Sequence, residues 1–160
     1  MIAGWTGHRP DLFRDPLAAR ASVDAVAAEL VTREGAERFL VGGQRGVDTW
    51  AALAAIGLGI PYTLILPLHP PAFAEGWSPA DRELLEQAIA RAADMRVASG
   101  YTERNRQLVS GADLLIAVWT GLGGGGTAET MALARAAGTP LREIVLEPVP
   151  TDDRLQGRGI

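Results

Sequence analysis

The segment "DLLIAVWTGLGGGGTAETMALARAAG", residues 113–138, decides the fold. It begins with a short apolar run typical of a buried strand, and it ends with apolar residues at helical spacing before Gly138. Glycines join these two parts. A strand that passes through a glycine-rich turn into a helix is the repeating unit of α/β proteins, so the segment predicts a parallel sheet with this turn at its carboxyl edge.

The rest of the chain repeats this alternation. Asp15 and Pro16 predict the start of one helix and Gly35 its end, while Ser78 predicts the cap of another. The stretch "HPPAFAEGW", residues 69–77, breaks the periodicity and is interpreted as a loop or lid. Strands are expected at 1–5, 38–43, 61–68, 95–99, 113–119 and 141–147, with helices at 15–35, 47–59, 78–93, 102–111 and 127–138.

The predicted fold class is α/β, a single doubly wound Rossmann-like domain. Right-handed crossovers between successive strands give a mostly parallel six-stranded sheet with helices on both faces. The domain is expected to span residues 1–147, and residues 148–160 form a polar C-terminal tail. A chain of 160 residues is large enough for one such core.

Composition excludes several kinds of chemistry. The sequence has no cysteine, two histidines and no lysine, so all 15 basic residues are arginines. Thiolate chemistry, sulfur-based zinc sites, a phosphate-binding Walker lysine and Schiff-base catalysis are therefore excluded. No metal or other cofactor is expected, and an anionic ligand would have to be held by arginines and backbone N–H groups.

Net charge and hydropathy indicate which partners and which cellular compartment to expect. The net charge is −4 and the pI is near 5.2, which makes a nucleic-acid partner unexpected. No apolar run is long enough to span a bilayer, and the start "MIAGWTGHRP" lacks the features of a signal peptide. A cytoplasmic protein without a membrane partner is expected. The oligomeric state stays open, with a homo-oligomer as one option.

Three glycine-rich turns are predicted at the carboxyl edge of the sheet, at 6–10 ("TGHRP"), 42–48 ("GGQRGVD") and 120–130 ("TGLGGGGTAET"). Each one alone is explained by tight chain reversal. Together they favour a phosphate-bearing ligand, because open α/β sheets bind ligands at this edge and helix N-termini attract anions. The candidate binding residues in these turns are Gly7, His8, Arg9, Gly43, Arg45, Gly46, Asp48, Gly123, Gly124, Gly125, Gly126 and Thr127.

Residues 121–126 also satisfy the G-x-G-x-x-G pattern of dinucleotide-binding proteins. That pattern normally opens the first βαβ unit, and a carboxylate follows about 20 residues later. Glu147 has a suitable spacing, but it follows the last predicted strand, and the first strand ends in "TGHRP" instead. The match is interpreted as a result of glycine density, and an NAD site is not expected.

Four motifs resemble the SLOG superfamily, the Rossmann-like group that includes DprA and the LONELY GUY (LOG) phosphoribohydrolases. They are "TGHRP", "GGQRGVDTWAA", "Y-x-x-R-N-x-x-x-V" from Tyr101 to Val109, and "LLIAVWTG" with "GGTAET". Their order is similar to that of the YpsA-like members, and the second motif also resembles the molybdenum-cofactor carriers and DprA. The resemblance implies a nucleotide or nucleotide-like ligand.

The LOG signature P-G-G-x-G-T-x-x-E, with a catalytic arginine from the preceding helix, can be compared residue by residue. Leu122 stands in place of the proline, while Gly123, Gly124, Gly126 and Thr127 match. Thr130 replaces the closing glutamate and Glu129 lies one residue early, about 100° around a helix. The resemblance implies Arg104 and Glu129 as catalytic residues, with Asn105 beside them as a ligand contact.

Each polar candidate also has a structural interpretation. Thr127 is predicted to cap the last helix, and Asp48 could compensate a helix dipole or brace its loop. Arg104 and Asn105 could lie on a solvated helix face.

Three functions therefore stay open. The first is a small nucleotide-binding or sensing protein without turnover. The second is a nucleoside 5′-monophosphate N-glycosidase, which needs a carboxylate, Glu129 or Asp48, near the anomeric carbon. The third is DprA-like binding of single-stranded nucleic acid, which the acidity disfavours.

Overall fold

The computed structural model describes residues 1–150, which fold around one six-stranded sheet. Every pair of neighbouring strands is parallel, and the order is β4-β3-β2-β1-β5-β6. This confirms the predicted α/β Rossmann-like fold. The strands are Ile2–Gly7 (β1), Arg38–Val41 (β2), Tyr62–Leu66 (β3), Asp94–Val97 (β4), Leu114–Trp119 (β5) and Leu141–Val145 (β6).

Helices connect the strands and pack in two layers. In the first layer α2 contacts both α1 and α4, and in the second α5 contacts α6. None of the helices in residues 1–150 is long and apolar enough to cross a membrane. The helices are Pro16–Arg33 (α1), Val47–Leu58 (α2), Pro70–Phe73 (α3), Pro79–Arg91 (α4), Tyr101–Gly111 (α5) and Gly126–Ala137 (α6), with a 3-10 turn at Pro10–Leu12.

The apolar core has two sides because side chains alternate along each buried strand. Phe39 and Val41 of β2 belong to the large core cluster beneath α1, α2 and α4, whereas Leu40 between them packs with Leu108 of α5. In β5, Ile116 belongs to the large cluster and Leu115 packs near α6. Both faces of the sheet are thus covered, which is why these strands are continuous apolar runs.

The helix ends confirm some of the predicted caps and correct one. The side chains of Asp15 and Ser78 accept hydrogen bonds from backbone N–H groups at the starts of α1 and α4, at 3.0 and 3.1 Å. Gly138 closes α6 in a left-handed conformation. The prediction that Thr127 caps α6 is wrong, because Gly125 is the N-cap residue and Thr127 lies inside the first turn. No side chain caps α6.

Two predicted irregular segments are more ordered than expected. The stretch 69–77 was interpreted as a loop or lid, but Pro70–Phe73 forms α3, whose Phe73 packs into the core. The start of the expected tail is attached to the domain: Pro148 forms a β-bridge with Phe13, and Val149 N–H donates to the Leu12 carbonyl at 3.2 Å. Residues 151–160 of that tail lie outside the described residues.

Candidate functional site

The strand order places a crevice between β1 and β5. From β1 the sheet extends through β2, β3 and β4 on one side and through β5 and β6 on the other. The connection after β1 leads to α1 in the first helix layer, and the connection after β5 leads to α6 in the second. The two connections therefore diverge from the carboxyl ends of neighbouring strands, as at the ligand-binding switch point of doubly wound folds. Within residues 1–150, a cavity of about 370 Å³ lies there, in the size range of small-molecule sites.

The cavity brings together residues from four parts of the chain. Most of the predicted binding residues line it, and so does Arg104. The lining residues are Thr6, Gly7, His8, Arg9, Leu12, Gln44, Asp48, Tyr101, Arg104, Asn105, Leu108, Leu122, Gly123, Gly124, Gly125, Gly126 and Thr127. Of the predicted set, Gly43, Arg45, Gly46 and Glu129 do not line it.

The second glycine turn contributes less to the cavity than the sequence suggested. Gly43 and Gly46 have positive φ angles of 79° and 93°, and a Cβ at either would collide with neighbouring protein atoms. Arg45 turns away and faces Asp81 at 3.7 Å and Asp11 at 4.0 Å. Gly43, Arg45 and Gly46 therefore belong to the turn without lining the cavity, while Gln44 and Asp48 line it.

The third glycine turn forms one wall. Gly123 and Gly125 have φ angles of 82° and 88°, which only glycine adopts readily. Gly124 and Gly126 have neither a positive φ nor any atom within 4 Å of a Cβ placed there, so the fold itself does not require glycine at these positions. Because α6 has no side-chain cap, the N–H groups of its first turn are free to meet a ligand.

A buried arginine occupies the inner end of the cavity. Arg104 is 6% exposed, which excludes its interpretation as part of a solvated helix face. Its Nη1 donates to the Gly42 carbonyl at 2.5 Å, and its Nε donates to Asn105 Oδ1 at 2.8 Å. Burial lowers the pKa of Arg104, and the nearby charge of Asp48 opposes that change. The guanidinium is thus fixed in place with a carboxylate close by.

Asp48 completes this buried group from the first turn of α2. Its Oδ2 accepts a hydrogen bond from the Gln44 N–H at 3.1 Å, so the predicted loop-bracing role is present. The other oxygen, Oδ1, is buried without a hydrogen-bond partner. Burial raises the pKa of Asp48 from its usual 3.8 to about 6, although the Arg104 charge acts in the opposite direction. A buried, incompletely paired carboxylate with a perturbed pKa in a cleft is typical of functional sites.

Gly42 belongs to the site although it was not among the predicted binding residues. A Cβ at this position would lie 2.5 Å from Arg104 Nη1 and 2.9 Å from Asp48 Oδ2. Glycine therefore makes room for both side chains above the backbone. The sequence signal was the doubled glycine after β2, of which only Gly43 was selected as a candidate.

Glu129 lies just behind the cavity wall. It is not a lining residue, and its Oε1 is buried without a hydrogen-bond partner. Its charge is nevertheless close enough to raise the pKa of Arg104 slightly against the effect of burial. Asp48 is thus the carboxylate that faces the cavity directly.

Two rings flank the opening. His8 is buried next to Trp119 and Phe13, with ring centroids 6.1 and 5.9 Å away. Burial and the adjacent Arg9 charge lower the pKa of His8, so its imidazole is neutral near pH 7. On the other side, Tyr101 is 47% exposed, and its ring lies 5.7 Å from the Arg104 guanidinium carbon. An exposed aromatic face at a cavity can stack against a planar ligand.

Comparison with solved structures identifies the fold group. The chain resembles DNA processing protein A of Streptococcus pneumoniae at a TM-score of 0.65 and 18% identity, over 98% of this chain and 56% of the other. It resembles the Moco carrier protein of Chlamydomonas reinhardtii at 0.64 and 23%, over 92% and 77% of the two chains. These are SLOG superfamily proteins. The chain shares the Rossmann-like fold of these proteins.

A third SLOG-type structure is similar over nearly the whole chain. The molybdenum cofactor binding protein of Rippkaea orientalis matches at a TM-score of 0.61 and 24% identity, covering 98% of this chain and 80% of its own. The present chain spans just over half the length of the DNA processing protein. The sequence matches no protein-family model and no curated protein. The resemblance predicted from the four motifs is thereby confirmed at the level of the fold.

Proposed function

We propose that this protein binds a small phosphate-bearing ligand, a nucleotide or nucleotide-like molecule, in the cavity between β1 and β5. The observation that carries the proposal is the joining of two different surfaces in one cavity. One is the open first turn of α6 with its glycine loop, and the other is the buried cluster of Asp48, Arg104 and Asn105.

The phosphate belongs at the glycine loop. The first-turn N–H groups at Gly126 and Thr127 have no side-chain cap, and the helix dipole favours an anion at this end. Arg9, an exposed residue, lines the same cavity and supplies a cation. The carboxylate of Asp48, which would repel a phosphate, belongs to the buried cluster instead. A phosphate at the loop would therefore meet hydrogen-bond donors and a cation.

The rest of the ligand belongs deeper in the cavity. Arg104, Asp48 and Asn105 offer fixed donors and acceptors there, and the half-exposed Tyr101 offers an aromatic face at the opening. The cavity thus offers an anion-binding, a polar and an aromatic surface, which suit the phosphate, the sugar and the base of a nucleoside phosphate. The solved structures of similar fold include two proteins described as carriers or binders of molybdenum cofactor and one that processes DNA, which supports ligand binding by this fold.

A titration of the purified protein with a nucleotide panel tests the proposal. The panel contains the four ribonucleoside 5′-monophosphates, ATP and the corresponding nucleosides without phosphate. We expect a thermal shift and calorimetric binding for at least one nucleotide and much weaker binding of the matching nucleoside. Failure of every phosphate compound to bind, or equal binding of nucleoside and nucleotide, would contradict the proposal.

Cleavage of a nucleotide N-glycosidic bond is the second candidate function, favoured by the state of Asp48. Such hydrolysis adds water across the bond between the base and the anomeric carbon, and its transition state has oxocarbenium character that a carboxylate stabilises. Asp48 is buried, faces the cavity and has an unpartnered oxygen next to a fixed arginine. Glu129, which the LOG resemblance implied, lies outside the lining.

Measurement of released base in the same panel separates the two functions. Binding without base release favours a binding or sensing protein. Base release that Asp48→Asn abolishes and Glu129→Gln retains would favour the glycosidase with Asp48 as its carboxylate. Loss of turnover in Glu129→Gln alone would instead return that role to Glu129.

A further inference from the structure

The inner end of the cavity contains two buried polar atoms that have no hydrogen-bond partner among residues 1–150. Asp48 Oδ1 is a hydrogen-bond acceptor and Asn105 Nδ2 is a donor, and both residues line the cavity. Asp48 is 5% exposed and Asn105 is 2% exposed, so neither atom is compensated by bulk solvent. Buried polar atoms without partners are uncommon because each one destabilises the folded protein.

The protein framework fixes which atom of each side chain is left over. Arg104 Nε donates to Asn105 Oδ1, so the amide is oriented with its nitrogen free. The Gln44 N–H donates to Asp48 Oδ2, so the carboxylate is held by one oxygen and leaves the other free. Each side chain is thus anchored by one atom and leaves the other without a partner.

The chemistry of these two atoms selects the group that can bind there. An ionised carboxylate only accepts hydrogen bonds, and the Asn nitrogen only donates them. A phosphate would satisfy the donor but would be repelled by Asp48. A hydroxyl both donates and accepts, so hydroxyl groups satisfy both atoms with no charge repulsion.

We propose that Asp48 and Asn105 form a subsite for the ribose hydroxyls of the ligand, so that the protein selects ribose phosphates over their deoxyribose counterparts. This inference rests on the proposed function, since the phosphate at the glycine loop places the sugar toward the buried end. It names the class of ligand as ribonucleotides. The edge of a base, which also carries donors and acceptors, is the competing occupant.

The test compares ligands that differ by a single hydroxyl. Ribonucleoside 5′-monophosphates are titrated calorimetrically at pH 8 beside their 2′-deoxy and 3′-deoxy counterparts, and ribose 5-phosphate is titrated beside 2-deoxyribose 5-phosphate. Loss of a hydrogen bond to a charged group weakens binding roughly tenfold or more. We expect that loss for at least one deoxy position in the nucleotides and in the base-free sugar phosphates.

The variant Asp48→Asn tests the assignment to a side chain. Its amide oxygen would accept from the Gln44 N–H, which leaves an NH₂ group where the wild type presents Oδ1. The subsite would then present two donors, and we expect the preference for ribose to fall to less than about threefold. Asp24→Asn, the same change at an exposed position of α1, is the matched control and keeps the wild-type preference.

The outcomes are distinguishable. Equal affinity for ribose and deoxyribose compounds at both positions overturns the subsite and indicates a base edge, while the proposed function stands. An unchanged ribose preference in Asp48→Asn also overturns it. If no phosphate compound binds, the proposed function fails and the subsite fails with it.

Discussion

The guanidinium of Arg104 and the carboxylate of Asp48 both lie against Gly42, where a Cβ would be 2.5 Å from Arg104 Nη1 and 2.9 Å from Asp48 Oδ2, and both residues are buried in the lining of the cavity between β1 and β5. Strands β3 and β4 separate the two residues in the sequence, and α5 and α2 position them from opposite faces of the sheet. Their charges oppose the effect of burial on each other's pKa. This arrangement gives the cavity a fixed polar end before any ligand arrives, which lowers the entropy cost of binding.

Gly42→Ala should abolish ligand binding without unfolding the protein. The new Cβ would lie 2.5 Å from Arg104 Nη1 and 2.9 Å from Asp48 Oδ2, and because both are side-chain atoms, the methyl group would displace the two side chains from their anchored positions rather than the backbone of the sheet. The matched control is Gly57→Ala in α2, where a Cβ meets no atom within 4 Å and helix propensity predicts a gain of roughly 0.5–1 kcal/mol. Thermal unfolding and nucleotide titration measure both effects. Wild-type affinity in a folded Gly42→Ala protein would contradict the assigned role.

Arg104→Ala should weaken nucleotide binding roughly ten- to a hundredfold, because a charge-assisted hydrogen bond contributes about 1.5–3 kcal/mol. It should also destabilise the fold, since Asp48 loses its compensating charge. Arg106→Ala is the control: this arginine lies on the same helix, is 62% exposed and faces Glu103 at 3.8 Å. Calorimetry and urea unfolding distinguish the two variants. A similar affinity for both would exclude a ligand role for Arg104.

The double variant Arg104→Ala with Asp48→Asn tests the coupling of the two charges. Removing the carboxylate should restore part of the stability lost in Arg104→Ala, because no uncompensated buried charge remains. Additive losses in the urea-unfolding free energies would show that the two side chains act independently.

Stability should depend on the ionisation of Asp48. Its pKa is about 6 in the folded protein and 3.8 in an ordinary environment, so between these values the folded state holds a proton that the unfolded state releases. This stabilisation is complete below about pH 4 and is lost as the pH rises through 6, with a size on the order of 3 kcal/mol. The wild type should therefore lose stability from pH 4 to pH 6, whereas Asp48→Asn lacks this loss. The unfolding free energy of Asp48→Asn minus that of the wild type should rise over this range and change little above pH 6. A pH-independent difference in melting temperature, with Asp24→Asn as the reference, would contradict this.

Much of the fold could be predicted from sequence because its signals are local. Continuous apolar strands, the caps Asp15 and Ser78 and the closing Gly138 depend on residues close together in the chain. The errors arose where several local signals competed. The prolines of residues 69–77 indicated a loop, whereas Pro70–Phe73 forms the single turn of α3. Thr127 has the side chain of a typical cap, whereas the N-cap residue of α6 is Gly125, which has a positive φ and no side-chain cap.

The candidate site was predicted less completely because its contacts are long-range. Arg104 and Gly42 are 62 residues apart, and nothing in either motif alone indicates that one makes room for the other. Arg45 looked like a ligand-binding arginine in its turn, but it faces Asp81 at the start of α4. The shared carboxyl edge, by contrast, follows from parallel topology: of the three turns predicted to meet there, at Gly7, Gly43 and Gly124, the first and third line the cavity with Gly7 and Gly124, and the second does so through Gln44 and Asp48 rather than Gly43.

The glycine loop should respond to side-chain size at Gly124 in a graded way. The structure has no atom within 4 Å of a Cβ there and no positive φ, so both Gly124→Ala and Gly124→Val should fold normally. A ligand phosphate at the first turn of α6 needs close approach to this backbone, so we expect modestly weaker binding in the alanine variant and loss of binding in the valine variant. Thermal unfolding confirms the fold, and titration with the tightest nucleotide of the panel measures affinity. Gly57→Val provides a control for the added side chain at an open position outside the cavity. Wild-type affinity in a folded Gly124→Val protein would exclude the glycine loop as the phosphate site, and the ligand would then have to be held at the Arg104 end alone.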